Sequence, residues 1–169
     1  MMVMAYMQRF FRNVHTGKTF SLFALGVLLS VSAAQAKTSF TGTWKLNVEK
    51  SDFGPLPPPT SLVDKIDQSE SALKINRAQS GQNGGSASDL GYTLDGQEST
   101  NTVRGNPAKS TAKWDGDALL IETKLKFQDN DVQINDRWTL GEDGKTILIA
   151  RHLKFAQGEA DQKLVMVKQ

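Results

Sequence analysis

A chain of 169 residues without a single cysteine must hold its fold by packing and ladder hydrogen bonds alone, so no disulfide framework or thiolate metal site is open to it. Of its 20 basic residues, Arg9, Arg12 and Lys18 precede residue 37, while all 18 acidic residues follow it. The part from Lys37 onward is therefore nearly neutral at −1, which argues against nucleic acid or an anionic membrane as the main partner.

The N-terminal stretch reads as a targeting segment. Arg9, Arg12 and Lys18 form a basic region ahead of the apolar run Phe20 to Val31. That run is about a dozen residues long, short of the roughly 20 needed to span a bilayer. Ala34-Gln35-Ala36 then fits a small-x-small cleavage site. The expectation is a Sec signal peptide over 1–36 and a folded domain over 37–169, periplasmic or secreted, with no stable membrane insertion after cleavage. An uncleaved anchor or interfacial helix is the competing reading. No cysteine follows the apolar run, which excludes a lipoprotein anchor, and the arginines are not paired as a twin-arginine signal requires.

Phe40, Gly42, Trp44, Leu46 and Val48 alternate with polar residues and predict a first strand with a buried tryptophan. Ser51 to Thr60 contains Pro55, Pro57, Pro58 and Pro59, so it is an extended loop, either a linker or a flap over one barrel end with Phe53 and Leu56 turned inward. Strands follow over Ser61–Asp67 and Ala72–Gln79, then a loop over Ser80–Ser86 around Asn83-Gly84-Gly85. Ser88, Leu90, Tyr92 and Leu94 alternate again before a turn at Asp95-Gly96.

From there the chain is a run of hairpins, with turn pairs at Gly105-Asn106, Asp115-Gly116, Asp129-Asn130 and Asp143-Gly144. Counting outward from each turn gives partners. Tyr92 meets Ser99, Leu90 meets Asn101, Val103 meets Ala108, Asn101 meets Ser110 and Ser99 meets Ala112. Further on, Ala112 meets Leu119, Phe127 meets Val132, Leu125 meets Ile134 and Leu140 meets Ile147. After Gln157-Gly158 a last strand covers Glu159–Lys168, its inward phase left open. The expected fold is all-β, an up-and-down antiparallel meander of about 8–10 strands curled into a barrel.

The same counting sets Thr123 opposite Asp136, and Asp136 opposite Arg151, all on the apolar phase of their strands. Arg77 shares the phase of Leu73 and Ile75. A dry core rarely accepts two guanidinium groups and a carboxylate beside Ser99, Asn101 and Ser110, whereas a lumen holding water or a polar-headed ligand does. One arginine short of a carboxylate would then bind an acidic or polar head group; a hydrated network that only orders the barrel is the alternative. Tyr92, between Leu90 and Leu94, is core or a ligand contact. Trp44, Trp114 and Trp138 read as barrel plugs, with Trp114 at one rim, and Phe127 and Phe155 as wall residues.

Enzymatic chemistry finds little support. His152, the one histidine after residue 36, lies on the polar phase beside Lys154, so it is read as solvated. With neither a second histidine nor a cysteine there is no metal-ligand set, no nucleophile pair and no expected cofactor. Asp115, Asp117, Asp129, Asp131, Glu142 and Asp143 are numerous enough for calcium. They are spread over separate turns without the spacing of a loop site, so turn chemistry accounts for them.

Phe40-Thr41-Gly42-Thr43-Trp44 resembles the Gly-x-Trp signature that opens lipocalins. Trp114 to Glu122 is similar to the late hairpins of the related fatty-acid-binding proteins. With Lys50 to Gly54 and Arg137 to Lys145, most of Thr38 to Lys168 resembles uncharacterised exported lipocalin-like proteins. The resemblance implies a calycin-type barrel that carries small, mainly hydrophobic molecules. The proline run stands where fatty-acid-binding proteins place two short helices, and their Arg-x-Tyr clamp has no counterpart in Glu159 to Gln169. Arg151, one strand earlier, is a substitute by analogy only. The reading is a non-enzymatic exported binding protein for a small amphipathic or hydrophobic molecule, with Arg151, Asp136, Arg77, Thr123 and Tyr92 as the ligand-binding set. The alternatives are a filled barrel with a structural or interaction role in the envelope and, less favoured, a lumenal enzyme using Asp136 as acid or base.

Overall fold

The computed structural model describes residues 38–82 and 84–169. The expected signal peptide and Lys37 lie outside the described residues, as does Asn83. Ten strands follow one another: β1 (Gly42–Leu46), β2 (Ser61–Gln68), β3 (Ala72–Gly81), β4 (Gly84–Thr93), β5 (Asp95–Val103), β6 (Asn106–Asp115), β7 (Ala118–Phe127), β8 (Asn130–Leu140), β9 (Thr146–Phe155) and β10 (Gly158–Lys168). No helix occurs among the described residues. All ten strands belong to one antiparallel sheet in the order β4-β3-β2-β1-β10-β9-β8-β7-β6-β5. The meander closes on itself where β1 pairs with β10, from Trp44 opposite Lys168 to Leu46 opposite Met166. Between its two edge strands, β4 and β5, the barrel stays ajar.

Side-chain alternation puts one face of this curled sheet inside. On β10 the inward phase, unsettled in the sequence, is Ala160, Gln162, Leu164 and Met166; of these Ala160, Leu164 and Met166 are buried and Gln162 lines the interior. Val165 is buried from the outer side, since the chain after β1 runs past it: Asn47 donates to the Val165 carbonyl and the Ser51 hydroxyl accepts from its amide. That turn at Asn47 also leaves Val48 exposed instead of continuing the first strand.

Three hairpins turn one residue away from the expected centre. The two-residue turns are Arg104-Gly105, Gly116-Asp117 and Gln128-Asp129, with positive φ at Arg104, Gly105, Gly116, Gln128 and Asp129. Partners therefore move by two: Ala112 faces Ile121, Leu125 faces Val132, Val103 faces Asn106, Asn101 faces Ala108, and Ser99 faces Ser110. The pairing of Leu140 with Ile147 holds, because Asp143 caps a longer loop symmetric about the same point, accepting from the amides of Lys145 and Thr146. The expected loop over Ser80–Ser86 is much shorter, since Ser80–Gly85 and Gly81–Gly84 still pair. Backbone pairing needs no apolar side chains, so alternation is silent there.

One end of the barrel is packed shut. Phe40 stacks on Trp114 at a centroid distance of 5.9 Å and meets Trp138 edge-on at 5.8 Å. Trp44 donates to the Phe40 carbonyl at 2.7 Å, and Gln68 holds the entering chain by accepting from the Phe40 amide and donating to the Thr38 carbonyl. Thus Trp44, Trp114 and Trp138 are plugs, as read from the sequence, with Phe40 as a fourth. Offset and edge-on aromatic contacts of this kind each add about 0.5–1.5 kcal/mol beyond burial.

Candidate functional site

Above the aromatic plug lies a cavity of about 310 Å³. The proline segment forms part of its wall, with Phe53, Leu56, Pro57 and Pro59 all facing the space. The segment is tied to β10 by the Asp52–Lys163 bridge and by Gln162, which donates to the Phe53 carbonyl at 3.1 Å. Of the two readings of this loop, the flap is the one its position matches. Val103, Phe127, Val132 and Leu153 continue the apolar wall toward the mouth. Phe127 is a rim residue, 45% exposed, because it ends β7 at the turn.

The floor is polar. Asp136 and Arg151 are direct cross-strand partners on β8 and β9, and Arg151 grips the carboxylate with Nε and one Nη at 2.7 Å each. Arg77 grips Asp64 in the same way across β2 and β3, at 2.8 and 2.7 Å. Bidentate pairs are the strongest class of charge-assisted hydrogen bond. Neither arginine is short of a carboxylate, which corrects the sequence expectation. Burial works to lower the Arg77 pKa, and the charge and hydrogen bonds of Asp64 outweigh it, holding the group above the ordinary arginine range.

Asp64 is the residue that sequence reasoning missed. It is fully buried, between Leu62 and Ile66 on the inward phase of β2, and that alternation was the available signal. The β2–β3 turn around Ser69 to Ser71 lacks an Asp-Gly or Asn-Gly pair, so no counting led from Asp64 to Arg77.

Tyr92 is buried on β4 and lines the same cavity, where the charges of Asp64, Arg77, Asp136 and Arg151 all act on it. Burial pushes its phenol up to about 12, so it is an O–H donor at any ordinary pH. Thr123 lines the cavity but does not support the ion pair. It sits opposite Ile134, with Ile121 opposite Asp136, and its hydroxyl shares a 3.1 Å hydrogen bond with that of Ser110. The carboxylate of Asp136 is approached instead by the Trp138 indole N–H at 3.5 Å.

Asn101 has an unforeseen role. Its side-chain amide takes the place of a strand, accepting from the Gly91 amide at 2.7 Å and donating to the Gly91 carbonyl at 3.1 Å. The Ser99 hydroxyl likewise accepts from Thr93. A side chain lodged between two backbones holds them too far apart for a direct ladder, so the expected pairing of Tyr92 with Ser99 and Leu90 with Asn101 is replaced by these bridges. His152 lies on the outer face, as expected, with its ring between Asp161 at 2.7 Å and Glu159 at 3.4 Å. Among the described residues no group of three His, Cys, Asp or Glu could hold a metal ion.

No protein-family profile and no curated protein matches the chain. Solved structures do. The fluorescent protein UnaG superposes with a TM-score of 0.54 at 15% identity, over 77% of this chain and 97% of its own. Zebrafish ileal bile acid-binding protein, complexed with cholic acid, gives 0.53 at 16% identity over 77% and 98%. A secretory abundant heat soluble protein from Ramazzottius varieornatus gives 0.53 at 17% identity over 80% and 98%. At these identities the likeness concerns fold alone, and with the ten-stranded, nearly closed meander it is specific: the chain has the calycin fold that fatty-acid-binding proteins and lipocalins share.

Proposed function

We propose that this protein is an exported, non-enzymatic carrier of a small hydrophobic or amphipathic molecule held in the barrel lumen. The observation that carries the reading is the cavity of about 310 Å³, with apolar walls, a proline-rich flap at its mouth and a charged floor. Its volume is at the lower end for small-molecule sites, which combine mostly apolar linings with a few placed polar groups. A bile acid-binding protein of the same fold, solved with cholic acid, supports a lumenal ligand. The basic and apolar N-terminal pattern supports export.

An enzymatic role for Asp136 is disfavoured by its surroundings. Both of its oxygens accept from Arg151, and taking a proton from a substrate would break that pair. The carrier reading is tested by native mass spectrometry of protein purified from its own host. A co-purifying small molecule is the expected result. A clean unliganded mass, with no uptake from a panel of fatty acids, long-chain alcohols and sterols, would sink it.

A further inference from the structure

We infer that the lumen selects a ligand with an uncharged oxygen head group, an alcohol or carbonyl, and rejects free carboxylates and amines. This rests on the carrier reading and adds the chemical class of the cargo. Its basis is the charge count of the floor. Two guanidinium groups and two carboxylates meet there, each arginine directly opposite its own acid and bonded to both of its oxygens. The floor is electrically closed before any ligand arrives.

An incoming carboxylate has two routes, both unfavourable. It can displace Asp136 from Arg151, which strands a buried acid whose side chain is only 8% exposed. Leaving Asp136 with only lumenal water and the Trp138 N–H weakens binding by roughly ten- to a hundredfold. Otherwise it enters beside the intact pairs as a third carboxylate, without a cation of its own. An ammonium group faces the mirror problem with Arg77 and Arg151. Arg104, the remaining charged residue on the lining, is exposed at the rim, where water and salt screen it.

Of the other polar side chains on the lining, Gln79 stands with the proline segment toward the mouth, and those nearer the floor are engaged. Ser110 and Thr123 bond each other, Asn101 bonds Gly91, and Gln162 bonds the Phe53 carbonyl. What remains on the floor is a set of donors. Each guanidinium uses two of its five N–H bonds on its carboxylate, and the Tyr92 hydroxyl lies outside both pairs. A neutral acceptor oxygen can use those donors and leave both pairs whole, while its apolar remainder lies along Leu90, Ile121, Val132 and Leu153.

The test is a matched ten-carbon series, 1-decanol, decanoate and decylammonium, titrated into the wild-type protein at about pH 8 by calorimetry. Decanol is expected to bind at least about tenfold more tightly than either charged member. Tyr92→Phe should weaken decanol by about tenfold, the worth of one buried hydrogen bond. Asp136→Asn frees Arg151 from its counter-charge and should strengthen decanoate by at least about tenfold. Decanoate binding as tightly as decanol to the wild type would overturn the inference while the carrier reading survives. No uptake of any of the three, with a broad panel also negative, would remove the carrier reading itself. Should Asp136→Asn fail to fold, the wild-type ratio and Tyr92→Phe still decide the matter.

Discussion

Arg77→Met leaves the Asp64 carboxylate buried without a partner. The side chain of Asp64 is 1% exposed, whereas that of Asp136 is 8% exposed and borders the lumen. Breaking a fully buried pair from one side costs about 3–5 kcal/mol. The corresponding change at the lumen, Arg151→Met, leaves Asp136 with lumenal water and the Trp138 N–H, so a loss of about 1–3 kcal/mol is expected. For a domain of this size each kcal/mol moves the melting point by about 3–5 °C, so Arg77→Met should lower Tm by roughly 10–25 °C. Urea titration followed by fluorescence of Trp44, Trp114 and Trp138 gives the free energies, read as shifts in midpoint at constant slope. The double variant Asp64→Leu with Arg77→Met should recover to within about 1 kcal/mol of wild type, because removing both charges removes the desolvation penalty as well. Equal losses for Arg77→Met and Arg151→Met, or a double variant no better than the single, would refute the distinction between a structural pair and a lumenal one.

Asn101→Ala unbridges β4 and β5 at Gly91, at a cost of about 1–3 kcal/mol, and hydrogen exchange of the Gly91 and Thr93 amides should accelerate selectively. The Tyr92 phenol, held at about 12 by burial, keeps its proton in the fold between its unfolded pKa and that value. Stability is therefore fully present below about pH 10 and lost as pH rises toward about 12, by on the order of 2–3 kcal/mol; Tyr92→Phe should abolish this alkaline loss in denaturation measured across that range. Arg104 sits at φ 50° in a two-residue turn before Gly105. Arg104→Asn, which suits that conformation, should raise stability by about 0.5–1 kcal/mol in the same urea assay.

Much of the lumen's composition was legible from alternation alone, and the reason is the period of a strand. Placing the turns at Gly105-Asn106, Asp115-Gly116 and Asp129-Asn130 was wrong by one residue each time, which moves every partner by two. A shift of two returns each side chain to the same face, so the inward set survived while the named neighbours did not. Thr123 shows the limit: it faces the lumen as read, yet its partner is Ser110 and not Asp136. Asp136 and Arg151 were both placed and paired correctly because the loop between them is symmetric about Asp143-Gly144.

Local chemistry thus determined the strands, the inward faces of all but the last, and one of the two ion pairs at the lumen floor. Period-two patterning and turn residues act over a few positions and can be read where they stand. The tertiary structure alone decided the closure of β1 on β10, the gap spanned by Asn101, the packing of Phe40 on Trp114, and the burial of Asp64 against Arg77. Each depends on how far the whole sheet curls and on which side chains fill its two ends. That is a balance of packing across residues distant in sequence, which no single strand records.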